Sequence, residues 1–298
     1  MQELEAFYCS VGINMNTNAG KIWSVFNKYQ KYTEVDAEKF DINAQHYIMR
    51  VRATLVRNLC KEFGFNADAL VLLDGILSDL CMPLLSMDGD LFAKTIIVSG
   101  HYATAELNCL FILIMCVFTF QTAQEQGKIP KDIDFFDHIA GCYFGDDQGN
   151  SVSEIASAGF NNIAIKESFE LFNMSITASD KCSSLTEFVD IEDATFLKRS
   201  FRYSPLLQKV VAPLDINSIY KMCSLSIYGK SCTPLQHDLS VANSALPELF
   251  IHACDEPNFK MRFYELRAKF IDTLRMHYGD FDIDFVFDYT KCMEMFKG

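Results

Sequence analysis

The chain has 298 residues, half of them apolar and 26 of them Phe, with a formal net charge of −13. That length and apolar content specify a folded globular chain with a substantial core, divided into two domains, and exclude an unfolded one. The charge excludes a surface that grips nucleic acid over its whole extent, because phosphate backbones favour Lys and Arg; an RNA-binding role would need local basic residues or another segment to supply them.

Residues 1–31 are mixed, with an Asn-rich middle at Asn14 to Asn18, and are expected to form a connecting segment with short elements. Tyr32 to Val35 predicts a short strand delivering Asp36. Ile42 to Phe63 has helical apolar spacing and ends plausibly at Gly64. Residues 66–98 alternate apolar runs with Asp and Gly turns, and Leu91 to Val98 has strand character. A long helix is expected over about 103–122, followed by a turn at Gly127 to Lys131. Phe135 to Phe144 supplies a strand whose first residues are compatible with helix. Ser153 to Phe172 predicts a further helix, and Asn173 to Ile176 a short extended piece. Thr186 to Val189 and Thr195 to Lys198 are expected to pair as strands. From about 215 the pattern is mainly helical, with joints at Pro234, Pro247 and Pro257. The domain change is expected near 205–215.

No secretory signal is evident in the first twenty residues. Leu107 to Phe120 is strongly apolar but short for a membrane span, so a buried helix is the better reading and no transmembrane segment is expected. The eleven cysteines show no tight Cys-x-x-Cys pairs and no His partner pattern. They fit small core residues in a reducing compartment, and a structural zinc site is disfavoured.

Three constellations carry the chemistry. In Cys142-Tyr143-Phe144-Gly145-Asp146-Asp147-Gln148, two carboxylates follow a turn glycine between two strands, which suits a hard cation such as Mg2+ and phosphate chemistry. In Asp36-Ala37-Glu38-Lys39-Phe40-Asp41, one carboxylate ends a strand and the second begins a helix. Asp at a helix start is also an ordinary solvated feature. In Ser99-Gly100-His101-Tyr102-Ala103-Thr104-Ala105-Glu106-Leu107-Asn108, Gly100 offers a mobile loop, and Thr104 and Asn108 share one helix face able to hold a ribose. Helix capping explains Ser99 as readily, but an amide at the start of an apolar run needs a partner.

The order and spacing of these three constellations resemble an RNA-dependent RNA polymerase of the picorna-like positive-strand virus group. Asp36 and Asp41 match motif A. Ser99, Gly100, Thr104 and Asn108 match motif B. Gly145, Asp146 and Asp147 match motif C, with Phe144 where Tyr is usual. Downstream, Met174 to Lys181 resembles motif D, Phe196-Leu197-Lys198-Arg199 resembles motif E, and Ala212 to Asp215 with Ile219-Tyr220 resembles the start of a thumb. Val11 to Asn14 is similar to the segment just before the palm.

The resemblance implies an α+β right-hand fold: a pre-palm segment over 1–31, an antiparallel palm over 32–210 with a finger-like insertion at about 66–98, and a helical thumb over 211–298. It implies template-directed RNA synthesis by two-metal nucleotidyl transfer. Asp36, Asp146 and Asp147 would hold Mg2+, or Mn2+ in its place, and Lys181 would protonate the departing pyrophosphate. Asp41, Ser99, Gly100, Thr104 and Asn108 would hold the ribonucleotide, and Lys198 and Arg199 the primer strand. The implied partners are RNA template and product, ribonucleoside triphosphates, a protein primer and other polyprotein segments. The implied setting is the host cytoplasm, at membrane-associated replication complexes. The basic motif F and the N-terminal fingers are not found upstream, so a partial polymerase is expected. Three other readings stay open: reverse transcription, a noncatalytic palm relic that binds RNA or protein, and an unrelated metal phosphatase or nuclease. The last leaves Ser99, Thr104, Asn108 and Phe196 to Arg199 unexplained.

Overall fold

The computed structural model describes residues 8–98, 100–179, 181, 183–224 and 231–297. They fall into two compact units, one formed by the described residues of 8–13 and 24–194, the other by those of 14–23 and 195–297. In chain order the first elements are helix α1 (Met15–Phe26), strand β1 (Lys31–Ala37), helices α2 (Phe40–Asn43), α3 (His46–Glu62) and α4 (Ala67–Cys81), and the hairpin β2 (Leu84–Met87) and β3 (Asp90–Ala93). Then come α5 (Thr104–Glu125), α6 (Phe135–His138), β4 (Ile139–Phe144), β5 (Asp147–Val152), α7 (Glu154–Ser157), α8 (Asn162–Glu170) and β6 (Ile176–Thr177).

The first unit is built on a four-stranded antiparallel sheet in the order β4-β5-β1-β6. Helix α5 supplies its packing layer. Phe111, Ile112, Met115, Cys116 and Phe120 are buried at helical spacing and share a core cluster with Ile139, Tyr143, Val152, Phe160 and Phe169. Leu110, Ile114 and Phe118 of the same helix are only half buried. By length and composition α5 could cross a membrane, but this burial makes it the unit's core helix.

Several polar groups inside the sheet are paired, as burial favours. Tyr143 donates to Asn150 Oδ1 at 2.7 Å, Asn150 Nδ2 to Thr33 Oγ1 at 3.3 Å, and Glu34 N to Asn162 Oδ1 at 3.0 Å.

Several elements differ from expectation for local reasons. The segment before the palm contains a 12-residue helix, α1. Helical structure between 42 and 63 is interrupted at Ala44 and Gln45, whose extended backbones separate α2 from α3. Residues 66–98 contain a 15-residue helix capped by Asn66, whose side chain accepts from Ala69 N at 2.8 Å, and then a hairpin; 94–98 lie outside any strand. The helix expected over 153–172 is two pieces, because Asn161 recaps the chain by accepting from Ala164 N. Val189 bridges Tyr32 instead of pairing with the 195–198 segment.

The second unit continues with hairpins β7 (Thr195–Phe196) with β8 (Arg199–Ser200) and β9 (Arg202–Ser204) with β10 (Lys209–Val211). It ends in helices α9 (Ile216–Ser224), α10 (Pro234–Ala253), α11 (Pro257–Tyr278) and α12 (Tyr289–Lys297). Thr233 and Gln236 form a reciprocal capping box at the start of α10, with Pro234 in its first turn. Leu246, Leu249, Phe250, Phe263, Leu274 and Phe296 make the core. The division falls at Ala194 and Thr195, ahead of 205–215, because the hairpins are tied to α10. Arg202 Nη1 lies 2.8 Å from Asp255 Oδ2, its Nη2 donates to Ile251 O at 2.8 Å, and Ser204 Oγ donates to Asp255 Oδ1 at 3.0 Å.

Candidate active site

The tip of the β4–β5 hairpin is the two-residue turn Gly145-Asp146. Gly145 has φ +66°, the left-handed region that favours glycine, and glycine at the first central position is typical of such tight hairpin turns. The turn leaves Asp146 exposed and places Asp147 at the first position of β5, opposite Phe144. Strand β1 lies beside β5, with Val35 opposite Gln148, and its next residue, Asp36, faces Thr177 of β6. Asp36 is therefore delivered from an inner strand next to the hairpin that carries the other two carboxylates.

Desolvation, with repulsion added to it, is visible in the acidities of the two hairpin carboxylates. Asp147 is pushed up to about 6, first by burial, then by the charges of Asp146, Asp36 and Glu34. Asp146, although its residue is exposed, is also raised, chiefly by partial desolvation of its carboxyl, with Asp36 and Asp41 adding to the effect and Lys181 opposing it. Lys181, exposed and in the left-handed region at φ +59°, sets its Nζ 2.9 Å from Asp36 Oδ2. The hydrogen bond to Asp36 and that residue's charge raise the lysine's pKa. Hence Asp36, Asp146, Asp147 and Lys181 are brought together, with Asp41 within their electrostatic field.

These carboxylates come from separate strands, offer hard oxygen donors and repel one another, so the residues suit a divalent cation. Among the described residues no three His, Cys, Asp or Glu side chains already converge as a metal cage, and Lys181 neutralises Asp36.

The motif B residues are distributed as follows. Ser99 lies outside the described residues. Gly100 has φ +83°, with open space where a Cβ would stand, so the constraint there is conformational. Thr104 Oγ1 is placed to donate to His101 O at 2.9 Å and Val98 O at 3.1 Å, fastening the start of α5 and leaving its lone pairs to accept. Asn108 is buried, and its Oδ1 has no hydrogen-bond partner. It lines a 10 Å³ cavity with Arg52, His101 and Thr104.

Lys198 and Arg199 belong to the second unit. Leu197 and Lys198 form the β7–β8 turn with φ +54° and +58°, and Lys198 is exposed. Arg199 is committed to internal contacts. Its Nη1 donates to Glu248 Oε2 and Ala212 O, both at 2.8 Å, and its Nη2 to Glu248 Oε1 at 2.7 Å. Asn16 Nδ2 also donates to Glu248 Oε1, at 3.3 Å.

Sequence reasoning missed two members of these networks. Glu34 stands two residues before Asp36, on the same face of β1, and adds to the field at Asp147. Strand alternation counted back from Asp36 would have found it. Glu248 had no local signal, because its partner Arg199 lies 49 residues away in sequence.

The fold and site define a class, a palm-like antiparallel sheet with clustered carboxylates followed by a mainly helical, thumb-like region. A family model described as "Viral RNA-dependent RNA polymerase" matches residues 1–266, and the chain belongs to that family. It is 31% identical over 160 residues to the replicase polyprotein of Drosophila C virus, covering 53% of this chain and 9% of the polyprotein. It is 34% identical over 128 residues to the RNA1 polyprotein of Andean potato mottle virus, covering 42% of this chain and 17% of that one. The solved structure of a sicinivirus 3Dpol RNA-dependent RNA polymerase superposes with a TM-score of 0.73 at 14% identity, covering 98% of this chain and 58% of that one. At that identity the superposition speaks to the fold. The chain thus spans about a tenth to a sixth of these polyproteins and somewhat over half of the solved polymerase.

Proposed function

We propose that this chain is the palm and thumb portion of an enzyme that adds ribonucleoside triphosphates to an RNA 3′-hydroxyl under direction of an RNA template. The observation that carries the reading is the convergence of Asp36, Asp146 and Asp147 from β1 and the β4–β5 hairpin, with Lys181 beside them. Asp36 and Asp146 would hold Mg2+, or Mn2+ in its place, with Asp147 more peripheral. Bound divalent ions would supply activation of the hydroxyl and charge stabilisation at the phosphates.

The chain's own residues do the rest. Lys181, held protonated by its acidic neighbours, is the proton donor to the departing pyrophosphate. Asp41, Thr104 and Asn108 accept or complete hydrogen bonds to the ribose 2′-hydroxyl, which both donates and accepts. The unpartnered Asn108 Oδ1 supports this role, because a buried acceptor without a partner is costly unless a ligand supplies one. Gly100, with Ser99, lets the preceding loop adjust. Lys198, exposed on its turn, contacts a primer phosphate, and Arg199 holds that turn in place through Glu248.

The palm is read as 32–210 with a finger-like insertion at about 66–98, the thumb as 211–298, and 1–31 as the approach to the palm. RNA, ribonucleotides, a fingers segment and a protein primer are the partners, in the host cytoplasm at replication membranes. A reverse transcriptase reading is less favoured, since Asp41 and Asn108 are polar where a bulky gate would exclude the 2′-hydroxyl.

The test is primer extension on an RNA template with Mg2+ and labelled ribonucleotides, using this chain alone, Asp146→Asn, and this chain supplied with a fingers segment. Extension that needs fingers and is lost in Asp146→Asn is expected. A folded chain that extends no primer even with fingers would overturn the proposal in favour of a noncatalytic palm.

A further inference from the structure

The polymerase reading assigns no residue of α3, yet this helix runs against the charge of the whole chain. Over His46–Glu62 it carries Arg50, Arg52, Arg57 and Lys61 against the single acid Glu62, in a chain of net charge −13. Arg52 is buried and donates to Leu107 O at 3.3 Å, so it serves the interior. The other three follow Tyr47 at steps of three, seven and four residues, which places all four on one face of the helix. Tyr47, Arg50 and Lys61 are exposed and Arg57 is half buried.

Between α3 and α4 lies a groove of about 380 Å3, lined by Arg50 and Arg57 from one helix, Asp74 and Ser78 from the other, and the apolar Ala53 and Leu77. Two ties across it fix its width. His46 Nδ1 donates to Cys81 O at 3.4 Å, and Arg57 Nε donates to Asp74 Oδ1 and Oδ2 at 2.8 and 3.0 Å. Asp74 is the only acid among the lining residues, and Arg57 neutralises it. Among the described residues Arg50 makes no ion pair, and neither Nη of Arg57 makes a hydrogen bond, so both guanidinium groups keep donors to offer.

We propose that this groove and the face of α3 beside it bind the phosphate backbone of a single-stranded RNA segment, outside the carboxylate site. Guanidinium forks match phosphate oxygens. Arg50 to Arg57 and Arg57 to Lys61 span about 10 and 6 Å along the helix axis, on the scale of the steps between phosphates in an extended strand. The exposed ring of Tyr47 at the head of the same face gives an unpaired base a stacking platform, which favours a single strand over a duplex. An acidic chain can hold a polyanion only through such a local concentration of cations. That the strand is RNA rests on the polymerase reading; the cationic groove does not.

The experiment titrates a labelled RNA oligomer containing 4-thiouridine against the full chain by fluorescence anisotropy over a range of salt, and maps its photo-crosslinks by peptide mass spectrometry. Crosslinks are expected within 46–62 and should be lost there in the Arg50→Gln/Lys61→Gln double variant. Each single variant should lower the salt slope by about 0.7 and the double variant by about 1.4, the values for one and two phosphate contacts on a single strand. Both positions are exposed, so the melting temperature should stay unchanged. Crosslinks confined to other segments, or an unchanged slope in the double variant, would overturn the proposal. Loss of the 46–62 crosslinks to UTP or inorganic phosphate at equal phosphate concentration would overturn the strand in favour of a single-anion site. Equal displacement by polyglutamate would overturn phosphate recognition in favour of an acidic peptide. The expected crosslinks and slopes, in a chain that extends no primer when supplied with fingers, would uphold the groove and remove the polymerase reading alone.

Discussion

Lys181 Nζ stands 2.9 Å from Asp36 Oδ2, so the cation and the principal carboxylate of the site are paired before any divalent ion arrives. Mg2+ must compete with this lysine. Replacing it with a neutral side chain should move two quantities in opposite directions. Lys181→Met should bind Mg2+ roughly two- to fivefold more tightly by calorimetry, the scale of an exposed ion pair. With fingers supplied, it should turn over on the order of 10²-fold more slowly, as loss of a general acid predicts. Weaker Mg2+ binding in the variant would show that the lysine does not compete for Asp36.

Asp147 gives the site a pH signature. Its carboxyl is raised to about 6 in the folded chain from an ordinary 3.8, chiefly by burial. The folded state therefore holds a proton that the unfolded state has released between these values, and stability falls as pH rises through that window. The penalty is complete above about pH 6 and amounts to at most about 3 kcal/mol. In the absence of divalent ions, Asp147→Asn should flatten the decline in melting temperature across this window, and Mg2+ should restore stability to the native chain only. A decline of the same size in the variant would assign the effect elsewhere.

Leu197 and Lys198 occupy left-handed backbone without being glycine. Lys198→Gly should therefore stabilise the second unit by about 1 kcal/mol, since a side chain in that region is strained. It should also weaken RNA binding and lower the slope of its salt dependence by about 1, as expected for one lost phosphate contact. A more stable variant with an unchanged salt slope would remove Lys198 from the RNA surface.

The Arg199–Glu248 pair is bidentate and largely shielded from water. Glu248→Gln or Arg199→Ala should each cost about 3–5 kcal/mol, because the remaining charge is left buried without its partner. Replacing both by apolar residues should cost much less. Thermal unfolding of the two single variants and the double variant checks this; an additive double variant would show that the two residues do not act as a pair.

Asn108→Ala removes a buried acceptor that has no partner in the protein. Its stability should stay within about 1 kcal/mol of the native chain. Preference for ribonucleotides over deoxynucleotides, measured in primer extension with fingers supplied, should fall on the order of tenfold. An unchanged preference would relieve Asn108 of any role in sensing the 2′-hydroxyl.

Much of the first unit was legible in the sequence, because its features are local. The strand reaching Asp36, the glycine turn before Asp146 and the long apolar helix near 104–125 each follow from short-range pattern and turn chemistry. What was hidden depends on distant partners. Val189 pairs with Tyr32 across more than 150 residues, and Arg199, which by itself resembles a free phosphate contact, is spent on Glu248. Breaks at Ala44 with Gln45 and at 158–161 were missed for a different reason: apolar spacing continues across them, while the next helix restarts only after an extended Gln45 or Asn161.

The strand carrying Asp36 is flanked on both sides, whereas β6 is a two-residue strand at the sheet's margin, and Lys181 follows it by four residues. The hairpin that carries Asp146 and Asp147 is thus held by the long β4–β5 pairing, whereas Asp36 itself pairs with β6 alone. Fraying of that margin would loosen Asp36 and its lysine together while the β4–β5 hairpin stays paired. Warming should therefore shorten the lysine's dwell time on Asp36 well before the inner strands part, giving the site a moving part whose compliance is set by two pairs of backbone partners.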